Sequence, residues 1–186
     1  MNIVQFKNCL ERSPVIASVP QESFNSALNS PCEIIFHLGA SIQELPECIK
    51  KAHDLNKKIF FHIDLTDGLG KDKAGVEYLS SLGADGIIST RGQLIRFGNE
   101  AGLLTIQRFF AIDSKGVYSI DDFLGSAKPD LIEIMPGVIG KVIKHFSNAG
   151  IPVIAGGLIE TKAEVTEALK NGAEGVSTRS PDLWYI

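Results

Sequence analysis

The chain has 186 residues, 44% of them hydrophobic and 22% charged, and its 22 acidic against 18 basic side chains give a formal net charge of −4. That apolar share supports a sizeable core and excludes disordered, fibrous and low-complexity classes. The acidic balance argues against nucleic-acid binding by bulk charge, so any such role needs a local patch or induced complementarity.

Short apolar runs alternate with amphipathic stretches along the chain, the rhythm of repeated βα units. The runs are Val15 to Ser18, Glu33 to Leu38, Lys58 to Leu65, Gly86 to Thr90, Leu103 to Phe109, Asp130 to Met135, Pro152 to Gly156 and Gly175 to Thr178. Each is nearly continuous in Val, Ile, Leu or Phe, as parallel strands covered on both faces require. Before the seventh run, Ile139, Val142, Ile143 and Phe146 recur at helical spacing, with Lys141, Lys144 and Asn148 opposite. Thr161-Lys162-Ala163-Glu164 is a capping box that starts the next helix, whose inward face is Val165, Ala168 and Leu169 and whose end is Asn171-Gly172.

Eight runs predict a TIM-type (β/α)8 barrel over residues 1–186 as one domain, in preference to an open doubly wound sheet. The helix after the first run is weak, and the eighth helix is short or missing because only Ser180 to Ile186 follow the last run. An internal repeat favours closure: Gly83-Ala84-Asp85-Gly86-Ile87-Ile88-Ser89-Thr90-Arg91 returns as Gly172-Ala173-Glu174-Gly175-Val176-Ser177-Thr178-Arg179. A motif repeated four βα units apart is what two half-barrels would leave. At about 23 residues per unit, the barrel is smaller than the usual roughly 250 residues.

Function in such barrels collects where strands end. Those positions hold His37, then His62 and Asp64, then Ser89 to Arg91, then Gln107 and Arg108, then Glu133, then Gly156 and Gly157, and last Ser177 to Arg179. Gly156 and Gly157 offer backbone with no Cβ, while Ser177 and Thr178 add N–H groups and hydroxyls, a combination that suits phosphate. Ser180-Pro181 reads as an N-cap and N1 proline opening a short helix over 181–184 whose amino end would face the anion, with Asp182 as a competing charge.

On this reading His62 and Asp64 share a strand and a face, and Asp64 accepts hydrogen bonds from ligand hydroxyls. With His37 they resemble the metal set of barrel epimerases, but the seventh strand ends in Gly-Gly where another carboxylate would be wanted. The favoured reading has no metal, and both histidines fill the barrel interior with hydrogen-bonded nitrogens. Arg108 and Glu133 form either a structural pair or a clamp on an anionic polyol. Lys58 begins its strand, and Lys71, Lys73 and Lys115 lie in loops or helices, so Schiff-base chemistry is not expected. Cys9, Cys32 and Cys48 form no CxxC pair and read as buried thiols of a reducing compartment. Met1 to Asn8 lack the basic flank and apolar core of a secretory signal, and the longest apolar stretch, Ile151 to Ile159, contains Pro152, Gly156 and Gly157. It falls short of the roughly 18 residues of a membrane span, so a cytoplasmic protein is expected.

Several blocks carry a family resemblance. His37-Leu38-Gly39, His62-Ile63-Asp64-Leu65 with Gly68, Gly86 to Arg91, Ile106-Gln107-Arg108-Phe109-Phe110-Ala111-Ile112-Asp113, Lys128 to Gly137 and Ile154 to Ile159 resemble, in order, the glycerol-3-phosphate-responsive antiterminators. The match runs from about residue 13 to Trp184 and is most distinctive at Gln-Arg-Phe-Phe and Glu-Ile-Met-Pro-Gly; Met135 takes a position where leucine is frequent. The resemblance implies a reduced barrel that binds glycerol 3-phosphate and then acts on the leader mRNA of glycerol-utilisation genes, preventing a terminator hairpin. It implies no cofactor and no chemistry. On it, Gly156, Gly157, Ser177 and Thr178 would hold the phosphate, while Asp64, Glu133 and Arg108 would face the glyceryl end.

The RNA surface is not assignable from the sequence. Arg91, Arg96, Lys141, Lys144 and Lys50-Lys51 are its basic candidates, and solvated helix faces explain them equally well. With bulk charge unfavourable, leader recognition is expected to depend on ligand-driven ordering or on a homo-oligomer. Two other readings stay open: a sugar-phosphate isomerase or epimerase using Asp64 and Glu133 as acid and base, and a sensor working through protein partners.

Overall fold

Eight parallel strands pair in sequence order and close, β8 against β1. They are β1 (Val15–Val19), β2 (Ile34–His37), β3 (Lys58–His62), β4 (Gly86–Ser89), β5 (Leu104–Phe110), β6 (Leu131–Met135), β7 (Val153–Gly156) and β8 (Gly175–Thr178). The computed structural model describes the backbone of residues 1–186 and all side chains except those at 114, 115, 118, 119 and 121–123. The helices are α1 (Ile3–Arg12), α2 (Phe24–Leu28), α3 (Leu45–Asp54), α4 (Lys73–Ser81), α5 (Gly92–Glu100), α6 (Ser114–Ala127), α7 (Gly140–Asn148) and α8 (Lys162–Lys170). Lys115 falls in α6, with its side chain outside the described set.

Strand alternation sorts the side chains into two layers. Ile35, Phe61, Ile87, Ile132, Val153 and Val176 point outward and pack with the helices; Ile16, Phe36, Phe60, Ile88, Ile106, Leu131 and Ile154 fill the barrel. The helix periodicities hold: Val142, Ile143 and Phe146 are buried on α7, and Thr161 and Glu164 cap α8 reciprocally. The helix after β1 is only five residues long, and after β8 only a 3₁₀ turn, Pro181–Tyr185, remains, matching the weak first and short last helices that the sequence predicts.

The sequence reading did not anticipate α1. Asn2 and Gln5 form its capping box, and Phe6, Cys9 and Leu10 join the interior cluster, so this helix stoppers the amino-terminal end of the barrel. Lys7 pairs with Glu174 at 2.6 Å and Arg12 with Glu33 at 2.6 Å, pinning it across that opening. A stopper is needed because interior side chains such as Ile34, Phe60 and Leu104 would otherwise meet water at that end; each buried side chain of this size contributes about 1.5–3 kcal/mol.

The internal repeat is structural. Each copy leaves its helix through a left-handed glycine, Gly83 (φ 88°) and Gly172 (φ 96°). The acidic residue two positions on then enters the sheet through the same bond, Asp85 N–H to Ile59 O (3.1 Å) and Glu174 N–H to Val153 O (2.8 Å).

Two local expectations are corrected. The third strand ends at His62, and Ile63–Leu65 is a 3₁₀ turn, so Asp64 does not share a strand with His62. Thr66 Oγ1 donates back to His62 O at 3.2 Å, and the turn's own hydrogen bonds displace the ladder. The segment after Ser180 is a 3₁₀ turn without a side-chain cap, and the Ser180 N–H donates to Thr178 Oγ1 at 3.1 Å. Ser180 and Pro181 do stand at its N-cap and in its first turn, so what changes is the helix type and the missing side-chain cap.

Candidate functional site

Along the barrel axis the interior changes character. Below, it is apolar; at the carboxyl ends of the strands it becomes Ser18, His62, Arg108, Glu133 and Ser177, all buried. Register explains the central pair. Arg108 on β5 lies directly opposite Glu133 on β6, and its Nε donates to Glu133 Oε2 at 2.6 Å. Ser177 Oγ donates to the other carboxylate oxygen, Oε1, at 2.6 Å. Glu133 is fully buried, and a buried carboxylate needs such partners on both oxygens. The Arg108 Nη groups have no acceptor among the described residues and are not sealed from the cavity above.

That cavity has a volume of about 640 Å³ and opens at the carboxyl-terminal face. Of the residues singled out from the sequence, Arg108, Glu133, Gly157, Ser177 and Thr178 line it; Gly156 and Asp64 do not. A Cβ on Gly156 would stand 2.6 Å from Glu133 Oε1 and 2.7 Å from Ser177 Oγ, so this glycine makes room for the buried carboxylate. Gly157 and Leu158 are both left-handed (φ 73° and 57°), turning the loop after β7 over the cavity edge.

The hydroxyls expected to meet phosphate are committed elsewhere. Ser177 serves Glu133, and Thr178 Oγ1 donates to Ile159 O at 2.9 Å while accepting from Ser180 N–H. Trp184 Nε1 donates to Thr178 O at 3.1 Å, so a buried indole fixes the end of β8. What stays uncommitted at this wall is backbone and charge: Leu158 and Arg179 make no hydrogen bond or ion pair among the described residues. Arg179 closes the repeated motif and the last apolar run, the two sequence signals that mark its position.

Asp64 sits at the neighbouring β3–β4 edge. Its Oδ2 accepts from Ser89 Oγ (2.8 Å) and the Thr90 N–H (2.9 Å), and its Oδ1 lies 3.2 Å from Arg91 Nε. Its Oδ2 is committed within the protein, whereas its Oδ1 is buried with no hydrogen bond and only the Arg91 charge beside it; Asp64 stands at the β3–β4 edge, outside the cavity lining. His62 Nδ1 lies 3.7 Å from Asp64 Oδ2 and has no hydrogen bond; burial, then the Arg108 charge, push this imidazole down to about 4, so it is neutral at pH 7.

His37 departs from expectation. It points outward into the helix layer, with Nε2 2.7 Å from Gln21 Oε1 and its ring against Phe24 and Phe61. Burial holds it at about 4 as well. His37, His62 and Asp64 thus do not converge, and no group of three His, Cys, Asp or Glu side chains is placed for a metal among the described residues. No lysine is among the described residues lining the cavity. All three cysteines are buried and unpaired, and burial pushes Cys9 and Cys48 up to about 11, which leaves them as thiols.

Comparison with known proteins agrees with the resemblance seen in the sequence. The curated uncharacterised protein YgcP of Escherichia coli strain K12 is 32% identical over 180 residues, covering 95% of this chain and 94% of that one. The crystal structure of a glycerol uptake operon antiterminator regulatory protein from Listeria monocytogenes superposes with a TM-score of 0.86 at 34% identity, covering 91% of this chain and 94% of that one. A glycerol uptake operon antiterminator-related protein from Thermotoga maritima gives 0.83 at 30% identity, covering 92% and 98%. Aldolase barrels share the fold alone; the deoxyribose phosphate aldolase of Aeropyrum pernix is 13% identical, with a TM-score of 0.68 over 98% of this chain and 96% of that one. The family model described as glycerol-3-phosphate responsive antiterminator matches residues 15–184, and the chain belongs to that regulatory family.

Proposed function

We propose that the protein is a ligand-gated transcription antiterminator that takes glycerol 3-phosphate into the cavity and, once occupied, acts on the leader mRNA of glycerol-utilisation genes without chemistry of its own. The observation that carries this is the polar cavity above the buried Arg108–Glu133 pair, whose volume of about 640 Å³ lies in the range of small-molecule sites. The glyceryl hydroxyls would meet the Arg108 Nη donors at the floor, which the buried Glu133 carboxylate holds in place. The phosphate would lie toward the loops after β7 and β8, where backbone N–H groups at Gly157 and Leu158 take over the role first given to the Ser177 and Thr178 hydroxyls.

An acid–base enzyme is less well supported, because Asp64 and Glu133 do not face one ligand: Asp64 is outside the cavity lining. For RNA the candidate surface narrows. Arg91, Lys50 and Lys51 are paired with Asp64, Asp54 and Glu47, whereas Arg96, Lys141 and Lys144 make no ion pair among the described residues. No helix among the described residues is long and apolar enough to cross a membrane.

The test is a gel shift of leader RNA at fixed salt, with and without glycerol 3-phosphate. A ligand-dependent shift is expected; no shift, combined with turnover of a sugar phosphate, would replace this reading with the enzyme.

A further inference from the structure

We propose that Arg179 reads the charge of the ligand's phosphate, selecting a phosphomonoester dianion over neutral polyols. This deepens the function proposed above and rests on the cavity being its ligand site. The internal repeat supplies the first argument. Both copies end in Ser-Thr-Arg, and at the β4 copy that tripeptide grips an oxyanion: Ser89 Oγ and Thr90 N–H donate to Asp64, and Arg91 Nε stands 3.2 Å from the same carboxylate. At the β8 copy the serine again donates to a carboxylate, Ser177 to Glu133. The arginine differs. Both Glu133 oxygens are taken, by Arg108 and Ser177, so Arg179 has no internal anion among the described residues and stands exposed at the cavity wall.

Charge balance supplies the second argument. The ionisable side chains lining the cavity among the described residues are Arg108, Arg179, Glu133 and Glu160. Arg108 is neutralised by Glu133 at 2.6 Å, leaving Arg179 as the cation set against Glu160 on the same wall. A phosphomonoester brings roughly −1.5 to −2 charges at pH 7. Without Arg179 the wall would be net negative and would repel it. With Arg179, a planar fork of donors meets the phosphate oxygens beside the free Leu158 N–H, and the end of β8 that carries it is held by Trp184.

Calorimetric titration of wild type, R179A, R179K and E160Q with glycerol 3-phosphate, inorganic phosphate and glycerol at one ionic strength tests the assignment. R179A should weaken glycerol 3-phosphate roughly 10- to 100-fold, the range for loss of a charge-assisted hydrogen bond, and R179K should restore part of it. E160Q should tighten binding by about two- to fivefold through removal of a like charge. Glycerol should bind weakly and equally to all four. The melting temperature of R179A should match wild type, since the side chain makes no contact that folding needs. R179A binding within twofold of wild type, or weakening by E160Q, would overturn the role of Arg179 while leaving the ligand intact. Wild type that binds inorganic phosphate as well as glycerol 3-phosphate, with both lost in R179A, would keep Arg179 and remove the glycerol phosphate reading. Binding of neither would remove both.

Discussion

The Ser-Thr-Arg ends of β4 and β8 have the same residues and opposite states. At β4 the donors converge on Asp64 Oδ2, and the Arg91 charge stands beside its Oδ1, so the arginine is paired within the protein. At β8 the serine is drawn to Glu133, the threonine hydroxyl to Ile159 O, and the arginine is left without a partner among the described residues. A duplicated local sequence therefore does not fix a duplicated role; the acceptor supplied by the neighbouring strands decides. Where a carboxylate is near, the motif becomes a brace, and where it is already shared, the motif keeps a cation for an outside anion.

Substitutions can break this contrast, and the largest effect is expected at Glu133. E133A strands the buried Arg108 and Ser177 and should cost about 3–5 kcal/mol in urea unfolding, together with loss of ligand binding. A loss under 1 kcal/mol would show that the pair is not the hub of the β8 side. Acid should come next. His62, behind the β4 cluster, and His37, in the helix layer, are held at about 4 against an ordinary 6.5. Between those values the unfolded chain binds protons that the folded one refuses, so stability is full above about 6.5 and falls toward pH 4, by up to about 3 kcal/mol per histidine. Unfolding measured across that window should show the fall, and H62Q should flatten part of it. D64A, which removes the internal anion from β4, should cost about 1–3 kcal/mol yet leave glycerol 3-phosphate affinity within about twofold. A large affinity loss would return Asp64 to the ligand. The smallest stability effect should come from the two arginines: R91A about 0–1 kcal/mol as an exposed pair, and R179A none, although only R179A should impair ligand binding.

Much of this architecture is legible in the residues. Continuous apolar runs separated by amphipathic stretches encode parallel strands directly, and the Thr161–Glu164 box and the Phe146 stripe encode their helices because those signals are local. Arg108 and Glu133 are legible as a pair once the strands are ordered. The roles of Gly156 and Asp64 were not, since each depends on a three-dimensional neighbour. Gly156 yields space to a side chain of β6, and Asp64 caps the end of β4 from a turn that apolar content alone reads as strand. Ser177 and Thr178 are legible as cavity residues, but the internal partners of their hydroxyls are not, because a hydroxyl's partner is set by what the register brings within reach. The stopper helix α1 went unread although Asn2 and Gln5 carry its cap and Phe6, Cys9 and Leu10 its stripe, because it falls outside the βα rhythm.

That helix also sets an order of events during synthesis. Phe6 and Leu10 leave the ribosome before any strand of the barrel, but their seat is built from strands distributed around the whole of it. The leucine packs so closely on β8 that a Cβ on Gly175 would stand 2.8 Å from its Cδ2, and Lys7 waits for Glu174, 167 positions later. A segment made before its seat is therefore among the last to find its place, and its apolar face stays open to chaperones or to other nascent chains until β8 emerges.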